Sequence, residues 1–145
     1  AGGKGWKDDG IVERITALQA KGLKIVLTGY LPDDDLPSIH TGASLFVFPS
    51  YYEGFGMPPL EAMACGTPVV SADNSSLPEA VGKAGLLVQA TNPNSLSSAI
   101  ERGLTDEALR KKLIAAGHAQ VKKFSWENSA QELKAALDQL DKLTK

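Results

Sequence analysis

The chain holds a single cysteine, Cys65, so no disulfide can form within it. One thiol in an apolar stretch fits a reducing, cytoplasmic setting. No apolar run approaches the roughly 20 residues that a membrane-spanning helix needs. The opening Ala1-Gly2-Gly3-Lys4-Gly5 lacks the apolar core of a signal peptide. The two histidines, His40 and His118, stand apart without ligand-spaced neighbours, so no metal site is expected. Neither sign of charge dominates: 15 Lys and Arg against 17 Asp and Glu leave a formal net charge of -2. Basic residues gather only as the pairs Lys111-Lys112 and Lys122-Lys123. That is too little for a face tracking a phosphate backbone, so no nucleic-acid partner is expected.

What is present is a chain of 145 residues, enough for one domain with its own core. Four short runs are continuously apolar rather than alternating: Lys24–Thr28, Leu45–Phe48, Pro68–Ser71 and Leu86–Val88. Strands buried on both faces of a parallel sheet have this pattern. Helical periods lie between and after them. Ile11, Ile15 and Leu18 share one face of a helix over about 8–20, stopped by Gly22. A short helix carrying Leu36, Ile39 and Ala43 opens at Pro32, with Asp33, Asp34 and Asp35 favouring its first turn rather than holding a cation. Another runs from Pro59 to Cys65 with Gly66 as its stop. Ser76-Leu77-Pro78-Glu79 has capping-box spacing. Asn92-Pro93 opens a helix with Leu96, Ile100 and Leu104 inward, and Thr105-Asp106-Glu107 caps one carrying Leu109, Leu113 and Ala116. Ser125 caps the last, over about 125–141, with Ala130, Leu133, Leu137 and Leu140 along one face.

Strands and helices alternating in this way predict an α/β, Rossmann-like doubly wound parallel sheet. Right-handed crossovers place every strand C-terminus on one edge, where such sheets bind their ligands. Ala1 to Trp6 reads as a loop following a strand, yet no strand precedes it, so the sheet is expected to lack its first strands and the chain to be a fragment.

The chemistry concentrates between Phe48 and Pro68. Gly54 and Gly56 let the backbone approach a ligand and adopt φ values closed to other residues. Free N–H groups of this loop, and of the helix start after it, favour an anion such as a diphosphate. Pro58 and Pro59 stiffen the entry while removing two donors. Glu53 and Glu61, eight residues apart, flank the loop. A carboxylate suits a sugar diol because it accepts two charge-assisted hydrogen bonds. One glutamate would then hold a sugar and the other a ribose.

The run Glu53-Gly-Phe-Gly-Met-Pro-Pro-Leu-Glu61-Ala-Met-Ala-Cys-Gly-Thr-Pro-Val-Val resembles the Glu-x7-Glu signature of the retaining glycosyltransferases of GT-B architecture. Leu27–Pro32, Leu45–Ser50, Leu77–Gly82, Gly85–Val88 and Phe124–Glu127 are similar to that family as well, so the likeness covers nearly the whole chain. It implies the C-terminal, nucleotide-sugar-binding half of such an enzyme, transferring a hexose of mannose or glucose type with retention. The donor would be a GDP- or UDP-sugar and the acceptor a glycan or lipid-linked molecule; no cofactor is implied. Glu53 would serve catalysis by contacting donor-sugar hydroxyls. Gly54, Phe55, Gly56, Met57 and Pro58 would meet the sugar and the diphosphate. Glu61 would bind the ribose, and Tyr30, Leu31 and Lys4 would lie near the nucleotide.

The same resemblance places an Arg and a Lys for the diphosphate, and the acceptor-binding domain, upstream of these residues. The isolated chain is therefore expected to bind donor weakly and not to turn over. The final helix is expected to cross to that domain, and any peripheral association with the inner face of the membrane to run through it. A competing reading is a non-catalytic Rossmann-like module that binds a nucleotide sugar or pairs with another chain. A phosphorylase or an epimerase fits the Glu-x7-Glu loop poorly. Cys65 and Trp126 read as packing residues, while Tyr51 and Tyr52 suit either the donor sugar or the core.

Overall fold

A computed structural model describes residues 9–143. The chain divides into two compact units, Ala1–Leu36 and Pro37–Lys145.

In the first unit, helix α1 spans Asp9–Gln19. Ile15 and Leu18 are half-buried on its shared face, while Ile11 is exposed. Gly22, at φ 88, ends the helix as expected. Its N–H donates to Gln19 O and that of Leu23 to Leu18 O, which satisfies carbonyls the helix would otherwise leave open. The expected strand at Lys24–Thr28 does not form. A strand exists only as a ladder, and no described strand pairs with this run. Val26 and Leu27 are exposed, and the Ile25 carbonyl accepts from the Gln19 side chain instead. A 3-10 turn at Asp33–Asp35 follows Pro32, with all three acids in its first turn.

That turn leads into helix α2, Leu36–Gly42, whose His40 ring is buried edge-on to Phe46 at 5.1 Å. The second unit is a parallel sheet in the order β1 (Phe46–Phe48), β2 (Val69–Ala72), β3 (Gly85–Val88). Phe46 faces Val69 across the first ladder, and Val69 faces Gly85 across the second. β2 is buried along its whole length. It is central, so both of its faces must be covered, which is why its sequence does not alternate. The α/β architecture is thus the one the apolar runs imply, with three of the four expected strands in place.

Helices cover both faces. α3 (Met57–Ala64), α4 (Leu77–Val81) and α6 (Glu107–Val121) bury Leu60, Met63, Ala80 and Val81 around Val69. α5 (Pro93–Thr105) packs Ala99 and Leu96 with Val70 and Val88 on the other face. Each fully buried Val, Leu or Met contributes about 1.5–3 kcal/mol of transfer energy. Leu104 turns outward, contrary to expectation; Gly103 takes the inward position, where any Cβ would come 2.8 Å from Leu45 Cδ1. Asn92 caps α5 by accepting from the N–H of Asn94 and Ser95, and Asp106 caps α6 by accepting from Leu109 N–H. The buried Gln120 amide donates to the carbonyls of Glu79 and Ala80, satisfying the end of α4 from α6.

Helix α7, Trp126–Leu143, starts at the Ser125 cap, whose hydroxyl accepts from Asn128 N–H. Leu133, Leu137 and Leu140 on its apolar face are more than half exposed. Trp126 is 90% exposed, so its expected packing role fails among the described residues. Among the described residues no helix is long and apolar enough to cross a membrane.

Candidate functional site

The loops after β1 and after β2 leave the same, C-terminal edge of the sheet and are tied to each other there. The first carries Ser50 to Gly56, the second Asp73 to Ser76. Glu53 is half-buried. One oxygen of its carboxylate, Oε1, accepts from Ser50 Oγ at 2.8 Å. Its main-chain N–H donates to Ser75 Oγ at 3.1 Å, and its carbonyl accepts from Ser76 Oγ at 3.1 Å. Asn74 Nδ2 donates to the Ser50 carbonyl at 3.1 Å, and Asn74 Oδ1 accepts from Ser75 Oγ at 3.2 Å. Glu53 is thus held at its side chain and at both of its backbone groups.

The use of Ser76 departs from the capping box expected of it. Helix α4 does begin there, but no side-chain cap forms and the hydroxyl goes to Glu53 instead. Ser75 sits at φ 49, the single described non-glycine residue with positive φ. Such a backbone persists where its surroundings determine it.

Beyond Glu53 the N–H groups of Gly54, Phe55, Gly56 and Met57 have no hydrogen-bond partner among the described residues. The next two positions are Pro58 and Pro59, which have no N–H. The donors available to an anion are therefore those four consecutive amides rather than the whole first turn of α3. Gly56, the N-cap, has φ 102, and a Cβ there would meet Leu77 Cδ2 at 2.8 Å. Gly54 differs: its φ is not in the left-handed region and a Cβ would find nothing within 4 Å. The expectation that both glycines adopt φ values closed to other residues is corrected for Gly54; only Gly56 does so. The open space at Gly54 leaves room for a ligand against its backbone.

Glu61 is exposed, and its side chain has no partner among the described residues. It is the fifth residue of α3, which begins at Met57, so it lies in the second turn, whereas a helix starting at Pro59 would put it in the first. The reason is that α3 starts two residues earlier than Pro59. Its charge there is farther from the helix start, where the dipole would favour it. Gly66, at φ 77, ends α3 as expected, with Gly66 N–H donating to Met63 O and Thr67 N–H to Ala62 O. Cys65 is half-buried at the C-cap rather than in the core. Tyr51 and Tyr52 are 74% and 80% exposed, which removes the core-packing alternative for both.

Phe55 and Met57, both partly exposed, also line a cleft of about 700 Å³. Lys123, Phe124 and Trp126 line it too, and the rings of Phe55 and Phe124 meet edge to face at 5.6 Å. Tyr30 and Leu31 belong to the first unit, where Tyr30 is 76% exposed and follows Gly29 at φ 67. Lys4 lies outside the described residues. Asn74, Ser75 and Ser76 were not among the expected site residues. Their signal was a polar Asp-Asn-Ser-Ser run at the ligand edge of the sheet, which reads locally as turn and cap chemistry.

The chain is similar to known proteins over most of its length. The profile described as "Glycosyl transferases group 1" matches residues 2–120. The O-antigen chain mannosyltransferase B of Escherichia coli is 45% identical over 128 residues, covering 88% of this chain and 33% of that protein. This chain therefore spans about a third of that relative's length. Sucrose-phosphate synthase from Thermosynechococcus elongatus superposes with a TM-score of 0.76 at 33% identity, over 99% of this chain and 38% of the other. HepE from Anabaena, solved with UDP and glucose, shares the fold at TM-score 0.78 and 23% identity, over 95% of this chain and 39% of the other. With the matched profile covering most of its length, the chain belongs to the glycosyl transferases group 1 family.

Proposed function

We propose that this chain is the nucleotide-sugar-binding part of a retaining hexosyltransferase of GT-B architecture. The observation that carries the proposal is the unpartnered amide run Gly54–Met57, set between two glutamates at the sheet's C-terminal edge. Amides fixed by the backbone suit the charge that develops on a departing diphosphate, because they need no reorganisation as it leaves. Glu53, restrained on one carboxylate oxygen, would offer the other to a donor-sugar hydroxyl. Glu61, exposed and unpartnered, would accept from the ribose hydroxyls.

The donor is a GDP- or UDP-hexose. Mannose is favoured by the relatives named as mannosyltransferases, while UDP and glucose occupy the HepE structure. The acceptor is a glycan or lipid-linked molecule bound by the remainder of the enzyme, which works in the cytoplasm at the inner face of the membrane. No covalent intermediate is proposed. The acceptor attacks the face from which the diphosphate departs. The chain without the remainder of the enzyme binds donor weakly and does not turn over.

A thermal-shift screen of the full-length protein with GDP, UDP, GDP-mannose and UDP-glucose tests the binding. A specific ligand at about a hundred times its Kd adds about 2.7 kcal/mol to stability. Glu53→Ala should lower transfer about a hundredfold, the scale of one lost transition-state contact. Failure of all four ligands to raise the midpoint, or normal transfer by Glu53→Ala, overturns the reading.

A further inference from the structure

Beyond the residues expected to touch the donor, the hydrogen bonds around Glu53 form a closed circuit. Ser50 Oγ donates to Glu53 Oε1 at 2.8 Å, and Glu53 N–H donates to Ser75 Oγ at 3.1 Å. Ser75 Oγ donates in turn to Asn74 Oδ1 at 3.2 Å, and Asn74 Nδ2 donates to the Ser50 carbonyl at 3.1 Å. Each side-chain group has a distinct part. Ser50 Oγ also lies 3.3 Å from the Tyr52 carbonyl, but its one proton serves the shorter bond to a charged acceptor better. Ser75 can both accept from Glu53 and donate to Asn74 because a hydroxyl does both. Its φ of 49 has a cost for a residue with a Cβ.

We infer that Ser50, Asn74 and Ser75 are positioning residues for Glu53: they fix its backbone and one carboxylate oxygen so that the other is aimed at the donor sugar. This rests on the reading of Glu53 as the sugar-contacting glutamate. A free glutamate side chain samples several rotamers, and holding it beforehand removes that ordering cost from the transition state. Ser50, half-buried between the two loops, is the most direct lever on the carboxylate.

The test uses the full-length protein. GDP-mannose and UDP-glucose serve as donors, and the affinities for GDP and UDP are measured separately. Ser50→Ala should lower kcat about tenfold or more, the lower end for a hydrogen bond to a charged group, while Kd for the nucleoside diphosphate stays within about twofold. Ser50→Thr, which keeps the hydroxyl, should recover most of the rate. Ser75→Gly tolerates the positive φ and removes the hydroxymethyl group, so it takes away the bond to Glu53 without adding backbone strain, and kcat should fall as in Ser50→Ala. In a Glu53→Gln background, Ser50→Ala should cost little more, because both changes act on one group.

Full additivity of Ser50→Ala with Glu53→Gln, or a normal kcat in Ser50→Ala with a crippled Glu53→Gln, overturns the positioning role alone. Normal transfer by Glu53→Gln overturns the reading of Glu53, and the positioning role with it. Equal losses in kcat and in nucleoside-diphosphate affinity, with a lowered thermal midpoint, would mean that Ser50 merely holds the loop together, which also overturns the inference.

Discussion

Gly54 and Gly56 stand two residues apart, yet alanine should have opposite consequences at the two positions. At Gly56 two costs add. The backbone is at φ 102, where a side chain is strained by about 1–2 kcal/mol. A Cβ would also approach Leu77 Cδ2 to 2.8 Å, and Leu77 is fully buried, so it has little room to yield. Overpacking of this kind costs about 1–3 kcal/mol. Together they predict that Gly56→Ala lowers stability by about 2–5 kcal/mol. At Gly54 the added methyl meets nothing within 4 Å and no positive φ. Gly54→Ala should therefore leave stability unchanged, or raise it by about 0.4–1 kcal/mol through the unfolded chain. Its effect should fall on the donor, whose approach to the loop amides it narrows. Urea unfolding of the two variants, with GDP and UDP titrations of each, separates these outcomes. A Gly56→Ala protein as stable as the parent refutes the packing of the loop against α4. A Gly54→Ala protein with unchanged stability and unchanged ligand affinity refutes the idea that open space there serves a ligand.

Glu61→Ala should raise the Kd for free nucleoside diphosphate about tenfold without lowering the thermal midpoint, since the side chain supports nothing in the fold; calorimetry reads the first and a melt the second. Met63→Ala removes a side chain that is 1% exposed between α3, α6 and the sheet, and should cost about 2–5 kcal/mol in denaturant unfolding. Trp126→Ala, at a residue 90% exposed, should shift the unfolding free energy by no more than about 0.5 kcal/mol.

Much of the second unit was legible because its signals are local or bear on both faces of the sheet. β2 is read from Val69-Val70 because a central parallel strand tolerates no polar alternation. The stop at Gly66, like the one at Gly22 in the first unit, is read because positive φ there favours glycine. Lys24–Thr28 carries the same apolar, β-branched signal and fails, because a run of residues cannot announce whether a neighbouring strand exists to pair with it. Leu104 and Gly103 exchanged places for a related reason: hydrophobicity marks what would gain by burial, while close helix–sheet approach selects for the absence of a side chain. In the candidate site, Glu53, Glu61 and the glycines stand out by type and spacing. The tie from Ser76 to Glu53 does not, because it joins residues 23 positions apart and Ser76 has an obvious local alternative as a helix cap.

The ladder between β1 and β2 ends at Phe48 opposite Ser71, and two and three residues beyond that pair stand Ser50 and Asn74. Sliding one parallel strand against its neighbour by two residues keeps every side chain on its proper face but moves the loops about 7 Å relative to each other. A core made of Val, Phe and Ala discriminates weakly against such a slip, since apolar contacts have no direction. Hydrogen bonds between the two loops cannot survive it. The polar contacts at the rim thus act as a vernier for the sheet: they reject a mispaired chain that burial alone would accept, and the geometry needed for substrate is assembled only in chains that have zipped correctly.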